Sequence, residues 1–255
     1  MKKIQSTCNL CALACNLDFY SEGHRITKVM PTEDYPVNKG FCCIKGLNLD
    51  KQQTKIKPTK YPLLRAENGE MKEVSWDEAF KVFAERMKGI QEKYGPESVA
   101  YISTGQLPTE EMALLGHVGR NYMKMHGDGN TRLCMATAVV AYKQSFGFDA
   151  PPYTLKDAEL SDTIFFIGAN PVIAHPVFWG RVRTNKDAKI ITIDPRKSET
   201  AINSHMWIDI KPKTDLTLLY TIANVLIEKD YIDKDYIEKH TDGFEDFKKH
   251  VSKFT

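Results

Sequence analysis

The chain has 255 residues, 42% of them hydrophobic and 27% charged, with a formal net charge of +2. That is room for one large or two small domains with a sizeable core, and too little charge to imply nucleic acid or a membrane surface as partner. No window approaches about 18 consecutive apolar residues, and the opening "MKKIQSTCNL" has neither an apolar run nor a twin arginine. No membrane span and no export signal are therefore expected, and the expected compartment is the reducing cytoplasm, where cysteines more often serve metals or catalysis than disulfides.

The first stretch, to about Thr59, bears most of the cysteines, is loop-rich and lacks long periodic runs. "CNLCALAC" sets Cys8, Cys11 and Cys15 in a C-x2-C-x3-C pattern, and "NKGFCCIKG" brings Cys42 and Cys43 after a gap of 26 or 27 residues. Close spacing lets three thiolates converge on one compact centre, and a fourth from a later loop closes it. Zinc ribbons usually pair two C-x2-C knuckles. A triplet plus one distant cysteine suits an iron–sulfur cluster, whose four corners need four thiolates. Spacing alone favours a [4Fe–4S] cluster over structural zinc and leaves Cys42 and Cys43 equivalent.

"KIKPTKYP" (residues 55–62) reads as a linker. The texture then changes to alternating helices and strands. Ser75–Gly95 is a helix opened by a Ser75/Glu78 capping box and ended by Gly95-Pro96. A short strand is expected over Ser98–Ser103, a helix over Glu110–Met123 and another over Cys134–Gly147. Taken alone, Cys134 is a small buried hydrophobe, although a helix N-terminus would stabilise its thiolate. Strands Thr163–Gly168 and Lys189–Asp194 flank a helix near His175–Thr184, a βαβ unit whose apolar strands suit a parallel sheet covered on both faces. Asp194 at the end of the second strand suggests a nucleotide reader, but "GANP" is not G-x-G-x-x-G, so nicotinamide is poorly supported. Asp215–Asp230 is a further helix, and "TDGFEDFKKHVSKFT" reads as an amphipathic one. The class is α/β: a small irregular N-terminal [4Fe–4S] domain over residues 1–59, then Rossmann-like α/β layers with parallel strands over 60–255.

These residues resemble the molybdopterin oxidoreductases that bind bis(molybdopterin guanine dinucleotide). The resemblance runs through "CNLCALAC", "NKGFCCIKG", "YPLLR", "VSWDEAF", "STGQLPTEE", "TRLCMATAV", "GANPVIAHPV", "IDPRKSET" and "TDGFEDF". It implies a Cys-x-Lys-Gly element that selects Cys43 as the fourth cluster ligand and leaves Cys42 as packing. Lys45 becomes an element of the electron path between cluster and pterin, and Cys134 a molybdenum ligand. Gly168, Asn170, His175, Asp194, Pro195, Arg196 and Asp215 match positions that hold one guanosine end of the cofactor. Ile173 and Lys213 depart from the family's usual residues there. His175 alone reads as a structural hydrogen-bonding residue. Arg132 is a candidate for orienting an oxyanion, since a guanidinium forks onto planar oxygens; an ion pair is the plainer role.

Within the family, formate dehydrogenases typically put histidine after the metal ligand, whereas Met135 follows Cys134. "RLCM" is similar to the nitrate reductases. The implied function is a molybdenum-dependent nitrate reductase catalytic subunit reducing nitrate to nitrite by oxygen-atom transfer, in a nitrate-assimilation setting. Electrons would come through the cluster from a ferredoxin-like or other small donor protein. The alternatives are a formate dehydrogenase, a non-catalytic electron-transfer subunit and a zinc-stabilised binding module. The chain is short for the family, so it is expected to be the N-terminal portion of a longer enzyme, with little activity on its own.

Overall fold

The computed structural model describes residues 1–51, 60–105, 107–129 and 131–255. Residues 52–59, which carry most of the expected linker, lie outside that description. The chain divides into two compact units, Met1–Leu155 and Lys156–Thr255.

The first unit opens with a three-stranded antiparallel sheet, β1 (Lys2–Thr7), β2 (Asn16–Glu22) and β3 (Arg25–Pro31), in that order. This is more regular than the sequence suggests. Every residue of β1 is exposed, so the strand has no core-facing alternation to read. The local signal was the two-residue loop Gly23-His24, with Gly23 at φ +60°. Glycine at the first loop position gives a turn whose twist matches the flanking strands. A short helix α1 (Ile44–Leu47) follows, then the hairpin of β4 (Leu63–Arg65) and β5 (Met71–Glu73).

Helix α2 (Trp76–Tyr94) is capped as expected: Ser75 Oγ accepts from the Glu78 amide at 3.1 Å, and Gly95 leaves the helix at φ +91°. Strands β6 (Ala100–Ile102) and β7 (His126–Asp128) pair in parallel. Between them run α3 (Thr109–Gly116) and a π-helical turn, His117–Tyr122, where one α-helix was expected. The Tyr101 ring occupies the space where a Cβ would stand at either Gly119 or Gly127. Helix α4 (Thr131–Phe146) is broken at Met135 (φ −142°, ψ 19°).

The second unit starts with α5 (Asp157–Leu160) and holds the parallel strands β8 (Thr163–Ile167), β9 (Lys189–Ile193) and β10 (Met206–Ile208), with β9 central. Helices α6 (Pro171–Ala174) and α7 (Pro176–Val182) cross from β8 to β9, and α8 (Glu199–Ile202) from β9 to β10. Phe166, Trp179, Val182 and Ile190 form the core. Phe178 stands edge-on to Phe166 at 6.4 Å, and the Trp179 ring lies 5.8 Å from it. Arg181 is buried and its Nε donates to Glu159 Oε1 at 2.6 Å, anchoring α7 to α5. At the sheet edge, β8 leaves Phe165 and Ile167 partly exposed, so it is not covered on both faces as expected. Helices α9 (Asp215–Glu228), α10 (Lys234–His240) and α11 (Phe244–Val251) complete the unit. Among the described residues no helix is long and apolar enough to cross a membrane.

Candidate functional site

Cys8, Cys11 and Cys15 all lie in the loop that joins β1 to β2. The two strands end opposite one another at Thr7 and Asn16, and the Cys8 amide donates to the Cys15 carbonyl at 2.7 Å, closing the loop. Ala14 turns the chain at φ +55°, a region L-residues seldom visit. Asn38, fully buried, brings the second cysteine segment to this loop. Its Oδ1 accepts from the Asn16 amide at 2.9 Å, and its Nδ2 donates to the Asn16 and Phe41 carbonyls at 3.4 and 2.9 Å. Lys39 and Gly40, both at positive φ, then make the turn into Cys42-Cys43.

Cys43 is the N-cap of α1, whose one buried residue is Gly46. A Cβ at Gly46 would stand 2.5 Å from Cys42 Sγ and 3.7 Å from Cys8 Sγ. Glycine is thus required for the helix to sit against the sulfurs. Burial pushes the Cys15 thiol up to about 11, with Cys11, Cys8 and Cys43 adding to the rise. Burial pushes the Cys42 thiol up to about 12, with Cys43, Cys15 and Cys8 adding. Cys8 is raised by burial and by Cys11 and Cys43, while a backbone hydrogen bond at Leu10 and the charge of Lys45 oppose the rise. The five cysteines of the two segments therefore share one neighbourhood, with Lys45 in electrostatic reach of Cys8. Among the described residues, no three His, Cys, Asp or Glu side chains form a finished set around a single ion. The soft donor set and the recess left by Gly46 fit a cluster held by thiolates; iron would stabilise the thiolates that burial opposes.

Cys134 and Arg132 are exposed, in the first turn of α4. The break at Met135 makes Ala136 the first residue of the uninterrupted helix, so Cys134 stands just ahead of it rather than within it.

In the second unit, the C-terminal edge of the parallel sheet gathers several of the expected residues. This is where open α/β sheets receive ligands. Gly168 (φ +57°) donates its amide to the Ile193 carbonyl at 2.9 Å, tying the end of β8 to the end of β9. Asp194 follows β9, and its Oδ1 accepts from the Arg196 amide at 2.8 Å, turning the chain through Pro195. Asn170 joins this edge to α8: its Oδ1 accepts from Thr200 Oγ1 at 2.8 Å and its Nδ2 donates to Glu199 Oε2 at 2.7 Å. Arg196 lies 4.0 Å from the same Glu199 carboxylate, which the Asn170 hydrogen bond and Arg196 help hold below the ordinary carboxylate range, after the backbone hydrogen bond at its own amide. His175 sits half-buried at the junction of α6 and α7. Asp215 is the first residue of α9, beyond the end of β10.

Asn38, Gly46 as a contact residue, and Glu199 were not identified from sequence as site-forming. A lone buried asparagine has no periodic signature, and Glu199 looks like an ordinary first-turn helix acid.

A family model described as molybdopterin oxidoreductase matches residues 59–253, and one described as the molybdopterin oxidoreductase Fe4S4 domain matches residues 1–55. The chain is 36% identical over 247 residues to a nitrate reductase of Symbiobacterium thermophilum, covering 93% of this chain and 32% of that protein. Putative formate dehydrogenases of Staphylococcus aureus and Bacillus subtilis are each 32% identical, covering 100% of this chain and 26% of theirs. The chain thus spans about a third or less of the length of these relatives. Acetylene hydratase from Pelobacter acetylenicus shares the fold, with a TM-score of 0.79 at 23% identity over 99% of this chain and 35% of that one. The chain belongs to the molybdopterin oxidoreductase family, carries its Fe4S4 domain, and has a [4Fe–4S] cluster and a molybdopterin as its cofactors.

Proposed function

We propose that the chain is part of a nitrate reductase catalytic subunit, reducing nitrate to nitrite and water with two electrons and two protons. In this reading residues 1–59 form the cluster domain and 60–255 the cofactor-binding region, in keeping with the limits of the two family matches. The pterin is taken as bis(molybdopterin guanine dinucleotide), whose molybdenum supplies the oxygen-atom-transfer chemistry when bound.

The chain's own residues have separable tasks. The thiolates of Cys8, Cys11, Cys15 and Cys43 hold the cluster. Lys45, which acts electrostatically on Cys8, lies on the electron path from the cluster. Cys134 offers molybdenum a soft sulfur donor, and its exposure ahead of the uninterrupted part of α4 leaves it open to a ligand. Arg132 orients the planar anion through its fork of donors. Gly168, Asn170, His175, Asp194, Pro195, Arg196 and Asp215 hold one guanosine end. Cytoplasmic residence and a small ferredoxin-like donor complete the proposal.

The observation that carries nitrate is the 36% identity to a nitrate reductase, together with Met135 where a base beside Cys134 would stand. Oxygen-atom abstraction needs no such base, whereas C–H cleavage of formate does. The relatives named as putative formate dehydrogenases support the second reading. The holoprotein assayed with reduced donor and nitrate should yield nitrite stoichiometrically. Formate oxidation without nitrate reduction would overturn the assignment in favour of the second reading.

A further inference from the structure

Four thiolates suffice for a [4Fe–4S] cluster, yet the two segments carry five cysteines. The fifth, Cys42, lies near Cys8. Its Sγ and that of Cys8 both lie within 4 Å of one point, the place a Cβ would take at Gly46. Its thiol donates to the Cys43 carbonyl at 3.4 Å, a long hydrogen bond that a sulfur can exchange for a metal. The recess it occupies exists only because residue 46 has no side chain, and the turn at Lys39-Gly40, pinned by Asn38, delivers Cys42 and Cys43 together.

We propose that Cys42 is an alternative fourth ligand, able to take the corner of the cluster that Cys43 otherwise holds. In the exchange, the Cys42 thiol releases its proton to solvent as its sulfur binds iron, and the Cys43 thiolate takes up a proton as it leaves. The proposal rests on the cluster being held by this loop, and the test separates the two.

The test compares the holoprotein as wild type, Cys42→Ala, Cys43→Ala and the double variant, each read by iron and acid-labile sulfide content and by the EPR spectrum of the reduced cluster. Both single variants should keep most of the iron, Cys43→Ala with shifted g-values, while the double variant loses nearly all of it. A Cys43→Ala protein as empty as the double variant, with an unchanged circular dichroism spectrum, overturns the proposal. If Cys43→Ala does not fold, Cys43→Ser carries the comparison: iron that survives equally in Cys43→Ser and in Cys42→Ala/Cys43→Ser is held by serine, which also overturns it. A wild type without iron would defeat the cluster assignment itself.

Discussion

The cysteine loop and the C-terminal edge of the β8–β10 sheet each carry a proposed ligand site, built by different means. At the loop, the proposed ligating groups are side chains on irregular backbone. A positive-φ alanine, a tight turn at Lys39-Gly40 and the buried amide of Asn38 hold them. At the sheet edge, topology does the gathering: parallel strands end together, and Gly168 and Asp194 emerge side by side whatever their side chains. The first arrangement needs its cofactor to stabilise thiolates that burial opposes, whereas the second has its own apolar core around Phe166 and Trp179.

The sharpest way to break this contrast is to remove iron. Chelation should abolish hydrogen-exchange protection across residues 8–15 and 38–47 while leaving β8–β10 protected; equal loss in both regions would mean the sheet also depends on the cluster. Trp179→Ala should do the converse, destabilising the second unit by about 3–5 kcal/mol in urea unfolding without lowering iron content. Asn38→Ala leaves the Asn16 amide and the Phe41 carbonyl without their buried partner. It should cost about 1–3 kcal/mol and reduce cluster occupancy, as read by iron content. Gly168→Ala, which puts a Cβ at φ +57°, should cost about 1–2 kcal/mol, seen as a lower Tm with no change in iron.

The smallest effect concerns acid. Burial pushes the Asp18 carboxyl up, but hydrogen bonds from Lys3, Gln5 and Thr32 outweigh it and leave the group below its usual range. Its stabilisation is therefore complete above the ordinary carboxylate pKa of about 4 and is lost as pH falls through the lower folded value. Asp18→Asn should flatten that acid-side slope, measured as Tm against pH; an unchanged slope would remove Asp18 from the account.

Much of this was legible from sequence where local chemistry and structure agree. Ser75, Glu78 and Gly95 bound α2 because capping is a short-range effect. The apolar runs over residues 163–167 and 189–193 read as strands because a parallel sheet demands them. The cysteine triplet marked out the loop that joins β1 to β2. What sequence could not show was geometry set by distant partners. The exposed β1 carries no buried face, and β10, three residues long, is too short for periodicity. The break at Met135 falls inside an unbroken helical pattern. Spacing left Cys42 and Cys43 equivalent, and only the space around Gly46 places the Cys42 sulfur near that of Cys8.

The Tyr101 ring, wedged where side chains at Gly119 and Gly127 would otherwise be, links three positions that are far apart in sequence. Their allowed identities are coupled. A side chain at either glycine is compatible only with a smaller residue at 101, and a smaller residue at 101 relaxes both glycines at once. In a library randomised at these three sites, the surviving combinations should therefore trade volume against one another, so that the total is held while the individual residues vary.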